Sequence, residues 1–224
     1  MDQAFIFDVF GTCVDWRSSV AREVETVLPD VDAFAFADAW RGEYQPAMQR
    51  IRDGGRGYVP LDILHRENLD RVLEWFGVEC SDRDELNRSW EKLDPWPDVV
   101  PGLTALRAKG LIATCSNGSI GLMARLSRWG GLPWDAIVGA DVARDYKPKP
   151  EVYLRSADAL GLAPEAVTMV AAHNDDLVAA RAAGLRTAFV PRPTEHGTGQ
   201  SSDLEATERW DIIATDFLDL AARA

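Results

Sequence analysis

The chain has 224 residues, 46% hydrophobic and 27% charged, a composition that suits one large domain or a core domain carrying a smaller insertion. A formal net charge of -12 speaks against nucleic acid or an anionic membrane surface as a partner, and no apolar stretch nears the roughly 20 residues of a bilayer crossing. A small anionic ligand stays open, because a local cationic pocket survives an acidic average.

The first predicted element is a strand over "AFIF" (4–7), an apolar run that ends in Asp8 and is followed by Gly11 and Thr12. The N-terminus runs into this strand without a basic region or an apolar signal core. Cys13, Cys80 and Cys115 are odd in number and lack metal-ligand spacing, so they read as free thiols of a reducing cytoplasm, the expected location.

Residues 18 to about 96 read almost wholly as helix. Leu69, Val72, Leu73 and Phe76 follow the i, i+3, i+4, i+7 rule of a one-sided apolar stripe. Gly54-Gly55 breaks this region, and Ser81 with Asp82 reads as a helix N-cap. The stretch "DPWPDVVPG" (94–102), with three prolines, reads as a hinge or boundary.

From Gly102 onward strands alternate with helices. Predicted strands are "LIATCSN" (111–117), "AIVGAD" (136–141), "VTMVAAH" (167–173), "RTAFVP" (186–191) and "DIIAT" (211–215). Between them fall helices at 119–129, at 150–161 behind Pro150, and over "DDLVAARAAG", which stops at Gly184. Such alternation predicts an α/β fold, a doubly wound parallel sheet (a Rossmann-like core). The expected domains are an α/β core over 1–15 and 98–224 and an inserted helical domain over 16–97.

In open parallel sheets ligands bind beyond the carboxyl ends of the strands. That rule selects Asp8, Ser116 with Asn117, Lys147, and His173 with Asp175 and Asp176. Each alone is ordinary: carboxylates cap turns, Ser and Asn form loops, most lysines are solvated, and an imidazole can sit satisfied at a strand end. Four strand ends carrying reactive groups on one rim point instead to a site. No P-loop, Gly-x-Ser-x-Gly elbow or Gly-x-Gly-x-x-Gly follows the first strand, and His65, His173 and His196 are too few for a histidine-rich metal centre.

"FDVFGT", "CSNGS", "DYKPKPEVY" and "AAHNDDLVAARAAG", in that order, resemble the four motifs of the haloacid dehalogenase superfamily, and the helical insertion resembles its cap domain. Phosphatases of that superfamily carry a second Asp where this chain has Phe10, which neither gives nor takes a proton, and an acidic residue where it has Ala172. The detail resembles the type II L-2-haloacid dehalogenases: Asp-x-aromatic-Gly-Thr over Asp8 to Thr12, Arg41 in "DAWRGEY", Ser116-Asn117, and Lys147 with Tyr153. The fourth motif departs, with Ala171 in place of Ser and His173 in place of Asn.

The resemblance implies that Asp8 attacks C2 of a small 2-haloalkanoic acid, expels halide, and is freed when water hydrolyses the aspartyl ester. Ser116 would hold the substrate carboxylate, Lys147 would serve substrate and nucleophile, and Tyr153 would hold Lys147. Arg41 and Asn117 would cradle the halide, Phe10 would exclude water, and Thr12 would orient Asp8. Asp176 is the first choice of base for the water, with His173 as helper or substitute. No cofactor and no metal are expected; the partners are a 2-haloacid and its halide product, and a homodimer is what the branch tends to form. The alternatives are a Mg²⁺-dependent phosphatase of a small phosphometabolite, which a chelator would silence, and an idle member that binds a small acid or a protein partner.

Overall fold

Four consecutive apolar residues make the centre of the sheet. In the computed structural model, which describes residues 3–224, β1 (Ala4–Phe7) is buried along its whole length. It needs no polar face because strands flank it on both sides and helices cover both faces. Its side chains alternate as a strand requires: Phe5 and Phe7 enter one apolar cluster, Ala4 and Ile6 the other.

After β1 the chain forms β2 (Val14–Asp15), which pairs antiparallel with β3 (Asp94–Pro95), so a short ribbon closes the base of the insertion. Between them lie α1 (Trp16–Val27), α2 (Ala33–Gly42), α3 (Tyr44–Arg52), α4 (Leu61–Phe76) and α5 (Arg83–Asn87). Asp15, Asp32 and Asp82 cap α1, α2 and α5 by accepting backbone N–H bonds. The region is less continuously helical than its composition suggests, since 53–60 and 77–82 are loops.

Beyond the ribbon come α6 (Val99–Arg107), β4 (Leu111–Ser116), α7 (Ile120–Gly130), β5 (Ala136–Gly139), α8 (Ala140–Ala143) and α9 (Pro150–Ala159). They are followed by β6 (Val167–Ala171), α10 (Asn174–Ala182), β7 (Arg186–Phe189), β8 (Ile212–Ile213) and α11 (Phe217–Arg223). The predicted hinge at 94–102 is thus ribbon and helix start. Pro101 sits in the first turn of α6, where its missing N–H is not needed.

The six-stranded sheet runs in the order β5-β4-β1-β6-β7-β8, every pair parallel. The chain winds one way through β4 and β5, then crosses to β6 and winds the other way. The reversal falls between β1 and β6, so a crevice opens beyond their carboxyl ends. One apolar cluster joins Phe7 and Phe217 of the sheet layer to Trp16, Trp40, Met48 and Trp90 of the insertion. Among the described residues no helix is long and apolar enough to cross a membrane, and all three cysteines are buried free thiols.

Candidate active site

The end of β1 delivers Asp8 into that crevice, and the strands beside it supply its neighbours. Lys147, in the loop before α9, places Nζ 2.8 Å from Asp8 Oδ1 and 2.5 Å from Asp176 Oδ2. Thr12 donates from Oγ1 to Asp8 Oδ2 at 2.7 Å and accepts the Ala172 N–H at 2.9 Å, which fixes both the carboxylate and the end of β6. His173 brings Nδ1 to 3.2 Å from Asp8 Oδ2. Its Nε2 lies 2.8 Å from Glu195 Oε2.

Charges therefore alternate along a ladder: Glu195, His173, Asp8, Lys147, Asp176. Burial alone would neutralise Asp8, but the Lys147 and His173 cations beside it hold its pKa well below the carboxylate range. Burial likewise opposes charge on His173, yet Glu195 and Asp8 hold it well above the usual imidazole value. Lys147 is raised by Asp176 and Asp8 against its own desolvation. The free protein thus presents an ionised, desolvated carboxylate between two cations.

Tyr153 and Ser116 lie where the sequence reading did not put them. The Tyr153 hydroxyl donates to Asp176 Oδ1 at 2.6 Å rather than meeting Lys147, because α9 and α10 pack side by side. Burial and the adjacent carboxylate push that phenol far up, so it stays a donor. Ser116 is buried and its Oγ accepts the Gly118 N–H at 3.1 Å, shaping the turn after β4. Neither side chain lines the cleft. Asp176, the first choice of base, is separated from Asp8 by the Lys147 ammonium, whereas His173 touches Asp8 directly.

Glu195 was not anticipated. It is 1% exposed, and besides His173 it accepts the Trp16 indole N–H at 3.0 Å. The strand-end rule, carried one strand further, leads past β7 into the loop that holds it. Arg192 anchors that loop with two 2.8 Å bonds to Asp98 and one of 2.9 Å to the Thr12 carbonyl. Gly11, with φ of +88°, leaves the space Glu195 fills: a Cβ there would lie 2.0 Å from Glu195 Oε1. Gly11→Ala should therefore lower turnover about tenfold or more and cost about 1–3 kcal/mol of stability, by displacing the carboxylate from His173. Steady-state kinetics and thermal unfolding check both.

The insertion roofs the cleft, whose volume is about 1120 Å³. Arg41 of α2 lies 4.0 Å above the Tyr44 ring and, among the described residues, has no carboxylate partner. The acids nearest in sequence are engaged elsewhere, Asp38 by Arg17 and Glu43 by Arg71, and Glu23 is held by Lys92. Phe10 stands edge-on among Tyr44, His65 and Trp90 and forms an apolar wall. Asn117 accepts the Lys147 backbone N–H at 2.8 Å through Oδ1, which leaves its NH₂ to donate.

The Mg²⁺ of a phosphatase does not fit these residues. A hard cation takes several oxygen ligands. Here Phe10 and Ala172 stand at two acidic positions, Asp176 is held by Lys147 and Tyr153, and Glu195 by His173 and Trp16. Among the described residues no three His, Cys, Asp or Glu side chains are grouped to hold an ion.

A parallel α/β core with a desolvated carboxylate at the end of its central strand, roofed by an inserted helical layer, is the architecture of a hydrolase. The chain belongs to the haloacid dehalogenase-like hydrolases, whose family pattern matches residues 3–184. It is similar to the crystal structure of the defluorinating L-2-haloacid dehalogenase Rha0230, at 51% identity and a TM-score of 0.97, over 99% of this chain and 94% of that one. The L-2-haloacid dehalogenase PA0810 is 43% identical with a TM-score of 0.96, over 100% and 98% of the two chains. The L-2-haloacid dehalogenase of Xanthobacter autotrophicus with chloropropionic acid covalently bound is 25% identical with a TM-score of 0.84, over 99% and 98%. Phosphoglycolate phosphatases are also among the curated relatives.

Proposed function

We propose that the protein is a hydrolytic dehalogenase that converts small L-2-haloalkanoic acids to 2-hydroxy acids through an ester on Asp8. The observation that carries this reading is the charge ladder itself: an ionised, buried carboxylate flanked by two cations, in a cleft that Phe10 lines where a phosphatase would have a second acid. Such a carboxylate suits in-line attack on carbon, and residue 10, where the superfamily's phosphatases carry the acid that protonates the leaving group, is a phenylalanine with no proton to give.

In the first step an Asp8 oxygen bonds to C2 of the substrate and the carbon–halogen pair leaves as halide. Lys147 offsets the substrate's negative charge. Arg41 and the Asn117 amide receive the halide, where charge develops. Phe10 and the insertion keep bulk water out.

Ester formation removes the charge of Asp8, and with it one of the two anions that keep His173 protonated. The imidazole pKa falls, Nδ1 gives up its proton to solvent, the one proton the overall hydrolysis liberates, and Glu195 holds the remaining proton on Nε2. His173 then takes a proton from water as the oxygen bonds to the Asp8 carbonyl carbon. Thr12 steadies the tetrahedral oxyanion, and its collapse expels the 2-hydroxy acid, which leaves with an oxygen of Asp8 and the proton from His173; the proton left on the Asp8 carboxyl then passes to Nδ1 and restores the resting pair. Asp176 and Tyr153 hold Lys147 in place. His173 thus takes the base's part, and Asp176 positions the lysine.

The test is halide release from L-2-chloropropionate, with L-2-fluoropropionate alongside, in the presence of EDTA. The expected result is stoichiometric halide and 2-hydroxy acid, unchanged by chelator. Phosphate release from small phosphate esters that needs Mg²⁺, without halide release, would replace this reading with the phosphatase.

A further inference from the structure

Arg52, the last residue of α3, lines the cleft yet has no part in the chemistry above. Its guanidinium is held by three neutral acceptors: Gln49 Oε1 at 2.9 Å, Gln45 Oε1 at 3.2 Å and the backbone carbonyl of Lys147 at 2.9 Å. None is a carboxylate, and among the described residues Arg52 makes no ion pair. The adjacent acid, Asp53, accepts instead from the Gln49 amide. A chain with net charge -12 pairs Arg17, Arg192 and Arg181 with acids, but leaves both arginines of this cleft, Arg41 and Arg52, without one.

The position of this second cation is defined. It rests on the main-chain oxygen of the residue whose Nζ touches Asp8, so a lysine side chain separates it from the reacting carboxylate. One N–H on each terminal nitrogen is spent and one remains, the complement that a carboxylate or another planar anion takes. A cleft of about 1120 Å³ leaves ample room beyond a three-carbon acid.

We propose that Arg52, with Gln45 and Gln49, forms a second anion subsite that receives the distal carboxylate of a 2-halodicarboxylic acid. Its substrates would include four- and five-carbon diacids such as L-2-chlorosuccinate, halogenated at the carbon that Asp8 attacks. The proposal rests on the dehalogenase reading and narrows its substrate class. Arg52 is a specificity residue for the far end of the substrate, and the bond breaking is unchanged: C2 bonds to Asp8, and halide departs.

Because Arg52 also ties α3 to the Lys147 loop, a loss of activity in its variants is not by itself informative. The informative quantity is the ratio of kcat/KM for L-2-chlorosuccinate to that for L-2-chloropropionate, which a purely structural role leaves constant. The parent enzyme should favour the diacid. Arg52→Gln should lower the ratio about 10- to 100-fold, the range of a charge-assisted hydrogen bond, and Arg52→Lys should restore much of it. Added salt should lower the ratio in the parent and not in Arg52→Gln. A parent that favours the monoacid, or a ratio that Arg52→Gln leaves unchanged, overturns the subsite alone. Absence of halide from both acids in the parent overturns the dehalogenase reading beneath it.

Discussion

Asp8→Asn should reduce kcat/KM for halide release by about 10⁴-fold or more, the scale on which removal of an attacking group is felt. The amide keeps the shape of the carboxylate but lacks the charge and the available lone pair that attack C2. The protein should remain folded, because each flanking cation keeps a second partner: Lys147 stays on Asp176 and His173 on Glu195. Because Lys147 and His173 hold Asp8 ionised against its own desolvation, losing the charge should lower the melting temperature without abolishing folding. Halide release and a thermal melt on the same sample separate the two effects. A soluble, cooperatively melting Asp8→Asn that still turns over near the parent rate would remove Asp8 from the chemistry.

His173→Ala should fail at the other half of the reaction. The first step needs Asp8, Lys147 and the halide cradle, all intact, so one halide per enzyme should be released in a burst. The ester should then persist, its hydrolysis slowed about 10²- to 10⁴-fold by loss of the base. Mass spectrometry of the intact protein should show the parent mass plus that of the acid less hydrogen halide, and digestion should place the addition on the peptide with Asp8. Glu195→Gln should give a milder defect of recognisable sign. Without that carboxylate the imidazole pKa falls, so the rise of ester hydrolysis with pH should move to lower pH while its plateau drops, since the base is weaker. A burst-free loss of all halide release in His173→Ala would assign the ring to the first step instead.

The legible part of this molecule follows from where its signals are local. "AFIF" is readable because a strand buried on both faces needs an unbroken apolar run, and Asp8, Lys147, His173 and Asp176 are readable because they follow strands or their loops directly. Glu195 is not, since it lies in an aperiodic loop beyond Phe189 and meets His173 only through the fold. The β2–β3 ribbon has two residues a side and so no period to detect. The spacing of Lys147, Tyr153 and Asp176 names the groups but not the partners: the packing of α9 against α10 decides that the hydroxyl meets the carboxylate rather than the ammonium. The order of base candidates was set the same way, by a lysine that stands between Asp176 and Asp8. The departure of the fourth motif, His173 for Asn, is in the structure the point where the ladder reaches Glu195.

A single turnover in ¹⁸O-water, with enzyme in excess over L-2-chloropropionate, addresses the ester most directly. Water attacks the carbonyl of Asp8 and not C2, so the first 2-hydroxy acid should carry ordinary oxygen and the label should appear in the peptide containing Asp8. Label in the hydroxyl of that first product, with none in the protein, would mean that water displaces the halogen itself and that Asp8 never forms a bond to carbon.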